Sequence, residues 1–73
     1  MVDIQKLRAK MVLKGYNQKS LVPEINARGY KISENTFSSK MTGASTFDCD
    51  LVDVLCDILE VEEPVEKAEI FLA

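Results

Sequence analysis

Apolar side chains along this chain recur at three- and four-residue steps. Ile4, Leu7 and Met11 form one such line, with Ala9 and Val12 beside it; Leu21, Val22 and Ile25 form a second, and Phe37 and Met41 a third. Leu51, Val54, Leu55 and Ile58 make the fourth and most apolar line, with Cys56 at its edge and Asp50, Asp53 and Asp57 on the far side. This spacing predicts four amphipathic helices, each burying one stripe. Their starts carry capping residues: Asp3, Asn17 or Ser20, Ser33 and Asp48. Gly15, Gly29 and Gly43 supply exits, and Phe47 fills the corner before the fourth helix.

Pro23 interrupts the second pattern. Behind an Asn17 cap it falls beyond the first turn and forfeits a backbone hydrogen bond, at a cost on the order of 3 kcal/mol. Behind a Ser20 cap it falls within the first turn, where proline is tolerated. The expectation is a second helix kinked or tightly wound near residues 19 to 22 and regular from there to Arg28. After Val61, Glu62, Glu63 and Pro64 mark a break, with Pro64 able to start one helical turn. Ile70, Phe71 and Leu72 then form a tail too apolar to lie in water without a partner surface.

The fold class is therefore all-α, a compact bundle of four to five short helices. One domain spans residues 1–73, with a core over 4–61 and an acidic C-terminal extension over 62–73. A chain of 73 residues is near the lower limit for an unaided core, which excludes a second domain or a deep substrate cleft. Its 47% apolar content is that of an ordinary globular domain, and no apolar run approaches the ~20 residues needed to cross a bilayer. No apolar stretch followed by a cleavage site opens the chain, so the expected location is the cytoplasm of a bacterial host cell.

Catalytic and metal chemistry find little support in these residues. The chain has two cysteines and no histidine; Cys49 and Cys56, seven apart on one helix, would lie about 10 Å apart and stay free thiols on the apolar stripe. No metal site and no cofactor is expected. No nucleophile or carboxylate cluster has a histidine partner, and no glycine-rich phosphate loop is present, so an enzyme is not expected.

Charge divides the chain. The net charge is −3, yet residues 1 to 45 carry eight cations against three acids (+5), and residues 46 to 73 carry one lysine against nine acids (−8). One end can face a polyanion while the other faces away or meets a basic partner. Lys6, Lys10 and Lys14 recur every four residues and predict a basic ridge on the first helix, suited to phosphate contact.

The third helix is distinctive in what it places outward. Ser33 caps it, Glu34 favours its N-terminal dipole, Phe37 and Met41 anchor it, and Asn35, Thr36, Ser38, Ser39 and Lys40 cover the remaining surface. Short polar side chains let a helix backbone approach the floor of a DNA groove. Taken in order, Leu7-Arg8, Lys14-Gly15, Asn17-Gln18, Leu21, Ile32-Ser33, Thr36-Phe37-Ser38, Lys40-Met41, Gly43 and Phe47 resemble the phage repressor and Cro type of helix-turn-helix protein over about residues 4 to 61. The likeness is to short members from phages and prophages of Gram-positive bacteria.

That resemblance implies a lambda-repressor-like DNA-binding domain, its second helix seated across the phosphate backbone and its third reading bases. Gln18 matches the family glutamine that hydrogen-bonds phosphate, with Lys19 and Lys40 as further phosphate contacts; Ser33, Glu34, Asn35, Thr36, Ser38 and Ser39 fall at base-reading positions. The chain departs from the family in three ways. Its turn between the second and third helices is about five residues longer, Val22 stands where a small residue is expected and Pro23 follows it, and the reading helix has no arginine or glutamine, leaving Asn35 for a two-pronged adenine contact.

The implied function is a sequence-specific transcriptional regulator on double-stranded DNA, a Cro-like genetic-switch protein working as a homodimer, with Ile70 and Phe71 as the expected dimer or partner interface. The rival from another class is an antirepressor of the same fold, which binds a cognate phage repressor and sets its acidic side chains where phosphates would lie.

Overall fold

The computed structural model describes residues 2–72, and among them it is all-helical. Five helices follow in order: α1 (Ile4–Leu13), α2 (Gln18–Ala27), α3 (Glu34–Met41), α4 (Cys49–Ile58) and α5 (Pro64–Phe71). Helix α2 packs on both α3 and α4, and α1 packs on α5. The shared core is Leu7, Met11, Leu21, Val22, Ile25, Phe37, Met41, Leu51, Leu55, Ile58, Leu59, Val61, Ile70 and Phe71. Thus each apolar stripe meets the same interior, which is what turns five marginal helices into one cooperative unit.

The predicted caps form. Asp3, Asn17, Ser33 and Asp48 each accept a backbone N–H from the third helical residue that follows. Helix exits share a second device. At the end of α2, Gly29 adopts φ +93°, Tyr30 N–H donates to the Ile25 carbonyl and Gly29 N–H to the Asn26 carbonyl, which together close the last turn. Helix α4 ends in the same way without a glycine, because Glu60 takes φ +56° and Val61 N–H reaches the Cys56 carbonyl.

Several expectations need correction. Asn17, not Ser20, caps α2, and its side chain and that of Ser20 satisfy each other's backbone N–H groups. The helix is α-helical throughout from Gln18, with no tightly wound stretch over 19 to 22, and Pro23 sits inside it. Pro23 is exposed, as is Lys19, whose carbonyl is the acceptor it leaves without an N–H; water on that face can replace the missing bond. On α1, Ala9 and Val12 are exposed and not beside the core. At 3.6 residues per turn they stand about 180° and about 120° from the Leu7–Met11 line.

The largest correction concerns the C-terminus. Pro64 opens a helix of 8 residues, not a single turn, and Ile70 and Phe71 are each only 4% exposed. The pair that was expected to form an interface is therefore part of this chain's own core. Asp3 N–H donates to the Ile70 carbonyl at 2.6 Å, so the start of α1 and the end of α5 are stitched together. The radius of gyration, 11.0 Å, equals the value of about 11 Å expected for a chain of this length with every segment folded in. Residues 62 to 72 are not an extension but a wall of the bundle.

Candidate nucleic-acid interface

Ion pairs decide which parts of the charged surface remain open. Lys10 meets Glu66 at 3.2 Å and Lys14 meets Glu60 at 3.5 Å, so the α1 ridge is largely neutralised by acids of the other half. Arg28 Nε donates to Asp57 at 2.8 Å and its guanidinium also lies near Glu24, while Lys67 pairs with Asp53. The Asp57 hydrogen bond holds the Arg28 guanidinium above its ordinary value. The basic N-terminal half and the acidic C-terminal half thus partly close on each other. Among the described residues, Lys6, Arg8, Lys19, Lys31 and Lys40 are in no ion pair.

Helix α3 is held from beneath. Phe37 is 0% and Met41 1% exposed, four residues apart and both turned into the core. Glu34, Asn35 and Thr36 are exposed, Ser38 and Lys40 are half-buried on the flanks, and Ser39 is half-buried on the outer side. The Ser33 hydroxyl accepts Thr36 N–H and donates to Thr36 Oγ1 at 3.0 Å, so these two hydroxyls are engaged with each other. Asn35 and Ser39 make no side-chain hydrogen bond among the described residues, and both lie on the side away from Phe37 and Met41. Their hydrogen-bonding groups are available to a ligand, and Asn35 presents both a donor and an acceptor.

The three phosphate candidates fare differently. Gln18 is the first residue of α2, half-buried, and Lys19 beside it is exposed and unpaired. Lys40 is not free: its ammonium donates to the Thr46 carbonyl at 2.7 Å, across the loop that leads to α4. It lines a cleft of about 610 Å³ together with Val2, Ile4, Phe47, Phe71 and Leu72. Lys40 therefore serves that loop first, and as a phosphate contact it would have to leave it.

Three features went unread in the sequence. Lys31 is exposed and unpaired, two residues before the Ser33 cap, in the lengthened turn. Its signal was position alone: a cation next to the N-terminus of α3. Tyr30 Oη donates to Asp48 at 2.8 Å and ties the same turn to the cap of α4. That bond raises the Tyr30 pKa, while Leu51 N–H and then the Tyr30 hydroxyl hold Asp48 below its ordinary range. The third is Asn26, half-buried on the flank of α2, whose amide binds across the turn to Ile32. A polar side chain at a half-buried position must find partners, but the sequence does not name them.

The cysteines are free thiols, though Cys49 is exposed at the start of α4 and not on the buried stripe. Burial raises the Cys56 pKa and so disfavours its thiolate. Among the described residues no helix is long and apolar enough to cross a membrane. The chain matches no protein-family model, no curated protein and no solved structure.

Proposed function

We propose that this chain is a sequence-specific DNA-binding transcriptional regulator of the Cro-like, phage or prophage genetic-switch kind, acting in the bacterial cytoplasm. One observation carries this reading: α3 stands on Phe37 and Met41 with Asn35 and Ser39 turned away from the core and uncommitted. Lys19, at the start of α2, and Lys31, two residues before the Ser33 cap, are exposed and in no ion pair. Asn35 reads a base edge, Ser39 and Ser38 supplement it, and Gln18, Lys19 and Lys31 hold phosphates. Glu34 at the head of α3 disfavours phosphate but suits a cytosine amino group.

One such helix covers only a few base pairs, so the active species is a homodimer. With Ile70 and Phe71 withdrawn into the core, the large apolar side chains left open are Val65 on α5, 67% exposed, and Leu72 at its C-cap, 74% exposed. These are the side chains a second copy would cover.

Selection from a pool of randomised duplexes tests the proposal. The expected outcome is a two-fold-related consensus bound far more tightly than bulk DNA, with an affinity that falls steeply as salt rises. Retention of no preferred sequence at low salt overturns it.

A second reading has an observation of its own. Asp50, Glu62, Glu63 and Glu69 pair with no cation among the described residues, and they leave an acidic surface on the α4–α5 side. An antirepressor would present that surface to a basic partner. Co-elution with the cognate phage repressor from a sizing column, together with no DNA consensus, is the result that favours it.

A further inference from the structure

The longer turn between α2 and α3 raises a mechanical question. Phe37 and Met41 pin the middle and the C-terminal end of α3 with apolar contacts, and such contacts resist removal but do not fix direction. At its N-terminal end α3 has the Ser33 cap, which is internal to the helix. Six residues, 28 to 33, separate the end of α2 from the start of α3.

One side chain spans that gap. Asn26, in the last turn of α2, donates from Nδ2 to the Ile32 carbonyl at 2.9 Å and accepts the Ile32 N–H on Oδ1 at 3.1 Å. The same Nδ2 donates to the Val22 carbonyl at 2.9 Å, one turn back along α2. The carboxamide thus pairs with the main chain of Ile32 in both directions, as one rung of a β-ladder would, while it is itself braced against its own helix. Ile32 is adjacent to the Ser33 cap, so the rung sits at the hinge of α3. Two bonds of fixed direction, braced by the third to Val22, act beside half-buried Ile32 at the N-terminal end of the helix, where apolar packing holds position but not angle.

We propose that Asn26 is the positioning residue that sets the angle at which α3 projects from α2, and with it the base discrimination of the interface. The second half of this inference rests on the DNA-binding reading; the first half does not. The clamp makes the lengthened turn a built element, tied to α2 through Ile32.

Asn26→Asp provides the test. It keeps the acceptor for Ile32 N–H but turns an oxygen, at neutral pH, toward two carbonyls that had shared a donor. Two readouts separate the halves. The first is physical: in the wild-type protein the Ile32 amide should exchange with solvent far more slowly than its neighbour Lys31, and residual dipolar couplings should report a changed α2–α3 angle in folded Asn26→Asp. An Ile32 amide that exchanges at loop rates, or an unchanged angle in the folded variant, overturns the clamp. The wild-type exchange measurement decides the matter even if the variant does not fold.

The second readout uses a duplex selected by the wild-type protein and poly(dI-dC) as the unselected competitor. Asn26→Asp should lower the ratio of selected to unselected affinity at least about tenfold, while affinity for poly(dI-dC), which depends on the cations, changes less than about twofold. Equal loss on both DNAs would mean a merely structural role and overturn the specificity claim. A changed angle in a protein whose wild type selects no duplex would sink the DNA reading and leave the clamp standing.

Discussion

Helices α3 and α5 are both 8 residues long, and each is anchored by one phenylalanine and one further apolar residue: Phe37 with Met41, and Ile70 with Phe71. Their polar residues have opposite fates. On α5, Glu66 reaches Lys10, Lys67 reaches Asp53, and the Ile70 carbonyl accepts Asp3 N–H, with Glu69 alone left without a cation among the described residues. On α3, Glu34, Asn35 and Ser39 find no partner within the described residues, and the one cation, Lys40, turns aside to the Thr46 carbonyl. Burial alone does not separate a helix that closes the bundle from one left open to a ligand. What separates them is whether the fold has already used the polar groups around the anchor.

Loss of the α5 anchor should have the largest effect. Phe71→Ala deletes a buried aromatic ring, 4% exposed, and is expected to cost about 3–5 kcal/mol, a large share of the stability of so small a domain. Urea denaturation measures it. A loss below about 0.5 kcal/mol would return residues 62 to 72 to the status of an extension and remove the contrast with α3.

How these two helices read from sequence follows from the range of the interactions involved. The caps at Asp3, Asn17, Ser33 and Asp48 and the anchors Phe37 and Met41 were legible because each depends on neighbours within about one turn. Phe71 was legible as apolar, but whether it covers its own bundle or another molecule depends on a loop closure from residue 3 to residue 70, which local pattern does not encode. The α1 ridge failed for the same reason. Lys10 and Lys14 are spaced as an exposed basic line, and only the return of Glu60 and Glu66 to α1 neutralises them. The role of Asn26 was not legible, because the rung it forms with Ile32 needs the chain to fold back six residues later.

Asn35→Ala sharpens the α3 side. The residue is exposed and bonded to nothing within the fold, so stability should move by less than about 0.5 kcal/mol. If it reads adenine, the selected duplex should lose about 1–3 kcal/mol of binding while unselected DNA is unaffected. Titration of both duplexes at one salt concentration separates the two effects. Equal affinity for the selected duplex before and after substitution would leave α3 an exposed helix with no reading role.

A pair of lysine variants carries the comparison to the cations. Lys19 is exposed and unpaired, whereas the Lys10 side chain is 14% exposed against Glu66. Lys19→Ala should reduce the slope of log affinity against log salt by about 1 and leave the unfolding midpoint unchanged. Lys10→Ala should do the reverse, with the salt slope intact and stability down by up to about 1 kcal/mol, since this pair is only partly shielded from water. Should Lys10→Ala alter the slope as much as Lys19→Ala, the α1 ridge would rejoin the interface and the ion pair with Glu66 would be incidental.

The smallest expected effect belongs to the Tyr30–Asp48 bond, which ties the turn before α3 to the cap of α4. Asp48 is held below its ordinary value by Leu51 N–H and the Tyr30 hydroxyl, so the unfolded chain takes up the proton first. Its contribution is complete above the ordinary aspartate range and is lost as pH falls through the lowered folded value. Tyr30 is raised, chiefly by its bond to the Asp48 carboxylate, so its contribution is complete below the ordinary tyrosine range and is lost as pH rises through the raised folded value. Both groups lie at the surface, and the change in Tm should be modest. Asp48→Asn keeps a competent cap and should flatten the acid limb of the Tm profile; Tyr30→Phe should flatten the alkaline limb and leave most of the acid limb, since Leu51 N–H still favours the carboxylate. Limbs that both persist in the two variants would mean that this turn is held by Asn26 alone, and the angle of α3 would then depend on a single side chain.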